Sequence, residues 1–202
     1  AIPGVEGTVK YDPTSNTLTL QDATIHAEEW EGIENDIDGL TIRLLGNNTI
    51  ISEKNNGIYN RGKSSLILEG GGKLVVKGAS TGKIVYQMGI RNRGSIMVSG
   101  CTIEASAGVY GLVEGRWRFE HCTVRAKGGG SEADGYAGSI AWMWGEEPKF
   151  TGCAITSPEG AYWKDFKDGD GTYYTLFCRV GEEEKPVTDW VTIAPAYDLK
   201  VA

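Results

Sequence analysis

The chain has 202 residues, of which 40% are hydrophobic and 23% charged, with 29 glycines against 6 prolines and a formal charge of −7. That length suits one globular domain, and a glycine-rich, proline-poor composition demands many turns and excludes disordered chains and long helical bundles. The acidic balance argues against nucleic acid as a partner, and no apolar run approaches the roughly 20 residues that cross a bilayer, so a soluble domain without membrane insertion is expected.

At the start, Thr8 to Tyr11 and Thr17 to Leu20 flank the turn-rich Asp12-Pro13-Thr14-Ser15-Asn16, which predicts a hairpin within residues 1–20. From Leu18 onward the chain repeats itself. Leu18-Thr19-Leu20 leads to Ala23-Thr24-Ile25, Leu40-Thr41-Ile42 to Asn48-Thr49-Ile50, and Leu66-Ile67-Leu68 to Leu74-Val75-Val76. The clearest pair, Gly94 to Ala105 and Gly115 to Ala126, aligns without gaps at a shift of 21 residues, and a third copy ends in Phe150-Thr151-Gly152-Cys153-Ala154-Ile155. A second marker precedes most copies: Gly32-Ile33-Glu34-Asn35, Gly57-Ile58-Tyr59-Asn60, Gly89-Ile90-Arg91-Asn92 and Gly108-Val109-Tyr110-Gly111.

Each repeat therefore reads as three short strands bounded by Gly, Asn or Ser. Three strands per repeat describe one turn of a parallel β-helix, in which equivalent residues of successive turns stack about 4.8 Å apart. Ala23, Asn48, Gly72, Cys101, Cys122 and Cys153 then share an inward column, where cysteine serves as a small apolar filler and is expected as a free thiol. Asn35, Asn60 and Asn92 form a second column, expected to hydrogen-bond along the stack. Beyond residue 158, Thr172 to Val180 and Trp190 to Ile193 predict strands separated by the acidic loop Gly181 to Lys185, so residues 159–202 are read as a C-terminal cap. The expected whole is an all-β single domain over 1–202: a right-handed parallel β-helix of about six turns over 18–158, with hairpin-like caps at both ends.

Tyr11-Asp12-Pro13, Thr17 to Leu20, Leu40-Thr41-Ile42 with Asn47 to Ile50, and the Gly-Ile-x-Asn markers together resemble secreted right-handed β-helix proteins of gut Bacteroidetes, within the pectin-lyase-like superfamily, over about residues 5 to 157. The resemblance implies export, with Ala1 following a removed signal segment, and a place outside the cell or on its surface. Superfamily enzymes of the polygalacturonase kind carry clustered Asp with Gly-His-Gly and Arg-x-Lys motifs, which this sequence lacks. Its lyases pair calcium-bound carboxylates with a basic residue, and here the acids near Arg61, Arg91 and Arg93 are Glu34 and Asp36 of a single turn.

Alternation about inward Ile33, Ile58, Ile90 and Val109 turns Glu34, Tyr59, Arg91 and Tyr110 outward, with Asp36, Arg61 and Arg93 two residues further along. Aromatic rings stack on sugars and guanidinium groups grip carboxylates, so Tyr59, Arg61, Arg91, Arg93 and Tyr110 are candidate residues for binding an acidic glycan. The competing reading is a ladder of cross-strand pairs that stabilises the sheet. Trp142 and Trp144 lie two apart and make either an outward stacking platform or core. Gly57 to Ser64 satisfies the phosphate-loop pattern, but a strand follows where a helix is needed. No zinc-site spacing occurs, no catalytic or metal-binding residue is assigned, and no cofactor is expected. Asp165, Asp168 and Asp170 resemble a calcium loop in composition, although their spacing suits a hairpin turn better. The expected function is non-catalytic binding of a polysaccharide or cell-surface glycan; the alternatives are a calcium-assisted polysaccharide lyase and a structural module of a surface assembly. Nothing in the pattern sets an oligomeric state.

Overall fold

A computed structural model describes residues 2–83 and 86–196. Every regular element among them is a strand, and no α-helix occurs there. The chain opens with β1 (Val5–Asp12) and β2 (Thr17–Ala27), an antiparallel hairpin as the sequence predicts. Triplets follow: β3 (Ile33–Asn35), β4 (Leu40–Leu45), β5 (Asn47–Ser52); β6 (Ile58–Asn60), β7 (Ser65–Glu69), β8 (Lys73–Lys77); β9 (Met88–Asn92), β10 (Ser95–Ser99), β11 (Thr102–Ala107); β12 (Tyr110–Val113), β13 (Arg116–Glu120), β14 (Thr123–Gly128). The last is interrupted: β15 (Ile140–Ala141), β16 (Met143–Trp144), β17 (Lys149–Thr151), β18 (Cys153–Ser157). The end comprises β19 (Tyr162–Asp168), β20 (Gly171–Val180), β21 (Glu183–Pro186) and β22 (Val191–Pro195).

Except for β14, each strand of a triplet pairs in parallel with its counterpart in the next, which builds a large, mostly parallel sheet and a separate five-stranded one, β15-β12-β9-β6-β3. The large sheet folds about β2. Asp22 in mid-strand has φ 46°, so Thr17 to Gln21 pair with β4 while Thr24 to Ala27 pair with β5. Its two limbs end in β17 and β18, consecutive in the chain, and the sheet thereby nearly closes on itself.

Between the sheets lies the larger of two apolar clusters, with Leu20, Ile42, Leu44, Ile50, Ile58, Leu68, Leu74 and Ile90 fully buried. Trp117 aligns with Ile96 as expected and stacks on Phe119, which stacks on Phe150. Cys101, Cys122 and Cys153 all belong to this core as free thiols, and burial pushes the Cys101 thiol up to about 12. The asparagine column is also present. The Asn35 amide donates to Asn60 Oδ1 at 2.8 Å, that of Asn60 to Asn92 Oδ1 at 2.9 Å, and that of Asn92 to the Arg116 carbonyl at 3.0 Å.

Four expectations need correction. The fourth marker is Gly111-Leu112, since Leu112 pairs with Ile90 and Tyr110 with Met88. The reason is a close approach of backbones: a Cβ on Gly32, Gly57, Gly89 or Gly111 would stand 2.5–2.7 Å from the carbonyl oxygen of Gly57, Gly89, Gly111 or Ser139 respectively. Only Gly111 continues that series. The small-residue column slips by two, because Asn48 pairs with Leu74 while Cys101 follows Gly72; a shift of two keeps every side chain on its face. Glu183 to Lys185 belong to a strand that pairs with β20, not to a loop. Finally, β22 does more than cap the end: it inserts antiparallel between β14 and β18, with Ile193 opposite both Val124 and Ile155.

Candidate functional site

The outward stripe of the five-stranded sheet has the order expected for its first three turns, Glu34 beside Tyr59 beside Arg91. Its polar groups meet one another. The Arg91 guanidinium sits 5.0 Å from the Tyr59 ring centre and that of Arg61 5.9 Å away. Arg61 reaches Glu34 at 2.8 Å and Asp36 at 3.7 Å. In the next turn Val113, not Tyr110, stands beside Arg91. Glu114 follows Val113 and takes Arg91 in a two-pronged pair, Nε and Nη2 each at 3.1 Å, with Arg93 Nε at 3.6 Å from the same carboxylate. Burial opposes the charge on Arg91, but the hydrogen bonds and charge of Glu114 outweigh it and its pKa is raised.

The predicted outward position of Tyr110 is overturned. Tyr110 is 6% exposed and lies with Met88, Val109, Val113, Ala137 and Ala141 in a second apolar cluster. The phenol donates to Asp134 Oδ2 at 2.5 Å, and burial, then that hydrogen bond, push its pKa up. Asp134 belongs to residues 129–139, an insertion between β14 and β15. Its other oxygen accepts the Tyr136 amide at 2.9 Å, which holds the carboxylate in place.

Trp142 does not form a flat platform with Trp144. It has φ 58°, which breaks the alternation that would turn both rings to one side. The Trp142 ring is half-buried among Tyr136, Phe166 and Tyr173, and its indole N–H donates to Asp134 Oδ2 at 2.9 Å. Trp144 pairs with Tyr173 across β16 and β20.

These groups surround one cavity of about 210 Å³ lined by Met88, Arg91, Tyr110, Val113, Glu114, Asp134 and Trp142. Five non-glycine residues among those described have positive φ: Asn16, Asp22, Glu114, His121 and Trp142. Asn, Asp and His adopt that conformation comparatively readily, whereas Glu and Trp do so at a cost of about 1–3 kcal/mol each. Both costly residues line this cavity, and their surroundings impose the conformation. The Glu114 N–H donates to the Ala141 carbonyl at 3.1 Å, and its own carbonyl accepts the Trp117 indole N–H at 2.7 Å. The Trp142 N–H donates to the buried Thr175 hydroxyl at 3.1 Å.

A larger concavity of about 860 Å³ lies between residues 129–137 and the C-terminal strands. Glycines, Pro158, Pro186 and Val187 form much of its wall, and Asp189 there is tied to Lys127 at 3.0 Å. Size alone favours it, but the strained residues and the convergent ionisable groups lie in the smaller cavity, which is the better candidate.

Of the residues singled out from sequence, Arg91, Tyr110 and Trp142 line the cavity, Tyr59 and Arg93 adjoin it through Arg91 and Glu114, and Arg61 and Trp144 stand outside. Glu114 and Asp134 were not singled out. Glu114 was legible only once Gly111 was taken as the marker, which puts it where earlier turns carry Asn. Asp165, Asp168 and Asp170 lie on a hairpin whose two-residue turn is Gly169-Asp170, and no cluster of three or more metal-ligating side chains occurs among the described residues. Gly57 to Ser64 run from β6 through a turn toward β7, with no helix.

No protein-family model, curated protein or solved structure matches the chain.

Proposed function

We propose that this chain is an exported, non-catalytic glycan-binding protein, built as a right-handed parallel β-helix of about six turns, which holds a polysaccharide at the cavity between Arg91, Glu114, Asp134 and Trp142. The pectin-lyase-like resemblance supports the handedness, the export and a place outside the cell. The observation that carries the binding reading is that Glu114 and Trp142, the two residues whose backbone conformation is costly, line the same cavity. Strain retained against that cost is a mark of a functional site. Fixed carboxylates and a guanidinium above an apolar wall of Met88, Val113 and Trp142 suit a sugar, whose hydroxyls exchange hydrogen bonds with both kinds of group while its C–H face packs on the wall.

A broad glycan array tests this. Wild-type protein is expected to give signal on a defined glycan class, and Asp134→Asn, which keeps the shape but removes the charge, to weaken it about tenfold, the equivalent of one charge-assisted hydrogen bond. A blank array overturns the reading and selects the alternative of a structural module. One observation favours that alternative: the Tyr59 ring is covered by the protein's own arginines, as in a purely stabilising ladder.

A further inference from the structure

The arginines of the outward stripe suggest an acidic ligand, but their surroundings point elsewhere. Arg91 spends two guanidinium N–H groups on Glu114, Arg93 leans on the same carboxylate, and Arg61 lies between Glu34 and Asp36. Three guanidinium groups are thus faced by three carboxylates, and Asp134 adds a fourth on the far wall of the cavity. A carboxylate-bearing sugar entering there either competes with Glu114 for Arg91 or sets its charge beside the Glu114 and Asp134 carboxylates in a half-enclosed site, and like-charge repulsion with the cost of desolvation opposes both. The whole molecule adds to the barrier, since its net charge of −7 repels a polyanion at long range.

We infer that the cavity selects an uncharged sugar ring, and that Glu114 is the residue that sets this specificity by occupying Arg91 and Arg93. The inference rests on the glycan-binding reading and names its ligand class. A volume of about 210 Å³ falls below the roughly 300–1,000 Å³ typical of drug-sized sites, so one ring enters and the rest of the polymer runs out over the sheet. Neighbouring hydroxyls of a neutral pyranose donate to the free lone pairs of Glu114 and Asp134 and accept from the guanidinium N–H groups of Arg91 that remain. Neither partner of the ion pair is displaced. The half-buried Trp142 ring meets the C–H face, backed by Met88 and Val113.

The test is retardation of the folded protein in native gels that contain soluble neutral polysaccharides (a glucan, a mannan, a xylan) or polyuronates (a polygalacturonate, an alginate). Wild-type protein is expected to be retarded by at least one neutral polymer and by neither polyuronate. The neutral interaction should hold within twofold between low and high ionic strength, because no charged ligand is screened. Glu114→Gln frees two guanidinium groups and is expected to gain about tenfold in retention by a polyuronate at low salt. Retardation of wild type by polyuronates alone, or a several-fold loss of neutral binding on adding salt, overturns the specificity and leaves glycan binding standing. A folded Glu114→Gln protein with no gain overturns the role of Glu114. If that variant does not fold, the wild-type panel and its salt series still decide. No retardation by any polymer, with a blank array, overturns glycan binding and this inference with it.

Discussion

At the scale of single residues, the asparagine column shows how a polar group becomes a structural part. Asn60 is fully buried, accepts from Asn35, and donates to Asn92 and to the Ser64 carbonyl. In low dielectric each of these bonds is strengthened, and each partner left alone is penalised. Asn60→Ala is therefore expected to lower unfolding free energy by roughly 2–4 kcal/mol, read from denaturant melts, and an effect below about 1 kcal/mol would mean that water replaces the amide. The column was legible in the sequence because one residue type recurs at one offset from a marker. Glu114 and Asp134 were not. Glu114 takes the place of the asparagine in the fourth turn, and Asp134 sits on an insertion that has no copy elsewhere in the chain. Both matter through what they touch, and periodicity reports only what repeats.

Among the elements, the decisive feature is the approach of successive turns at the first strand of each triplet. The glycine there marks where a Cβ would meet the carbonyl oxygen of the next turn, and for Gly57 also the Val76 side chain. Gly57→Ala must push two turns apart at a point that β6 and β9 hold in register. A loss of about 1–3 kcal/mol is expected, read from thermal or denaturant melts, whereas Gly71→Ala, in a turn where nothing lies within 4 Å, should change little. Three of the four markers were read correctly. The fourth failed because Gly108-Val109 imitates Gly-Ile three residues early, and only the pairing of Leu112 with Ile90 separates the two registers. That slip is what had set Tyr110 on the surface. The insertions at residues 78–87 and 129–139 both fall between the third strand of one triplet and the first of the next, and the second of them supplies Asp134. Length changes at this one corner leave the sheets intact, and the second of them adds a wall to the cavity.

On the scale of the whole molecule, the two ends are built by different means. The N-terminal hairpin lays β1 along β2 from Thr17 to Ile25, a device that the alternating, turn-punctuated sequence announces. At the far end β22 enters the sheet between β14 and β18, a place that could not be read, since five residues of strand pattern carry no information on the partner or its direction. Val191 and Ile193 are fully buried there. Ile193→Ala is expected to cost about 2–5 kcal/mol, measured by denaturant unfolding; a cost near that of a surface change would show that the strand lies outside the cooperative core. The insertion also has a geometric result. On one limb β13 and β17 are direct neighbours, about 4.8 Å apart, whereas on the other β22 holds β14 and β18 at twice that spacing. The final layer of the large sheet is thus stepped by about one strand spacing between its two limbs. A second copy pairing its edge with β17 would leave a gap of about one strand opposite β18, so the arrangement that ends the large sheet opposes the edge-to-edge growth on which fibres depend.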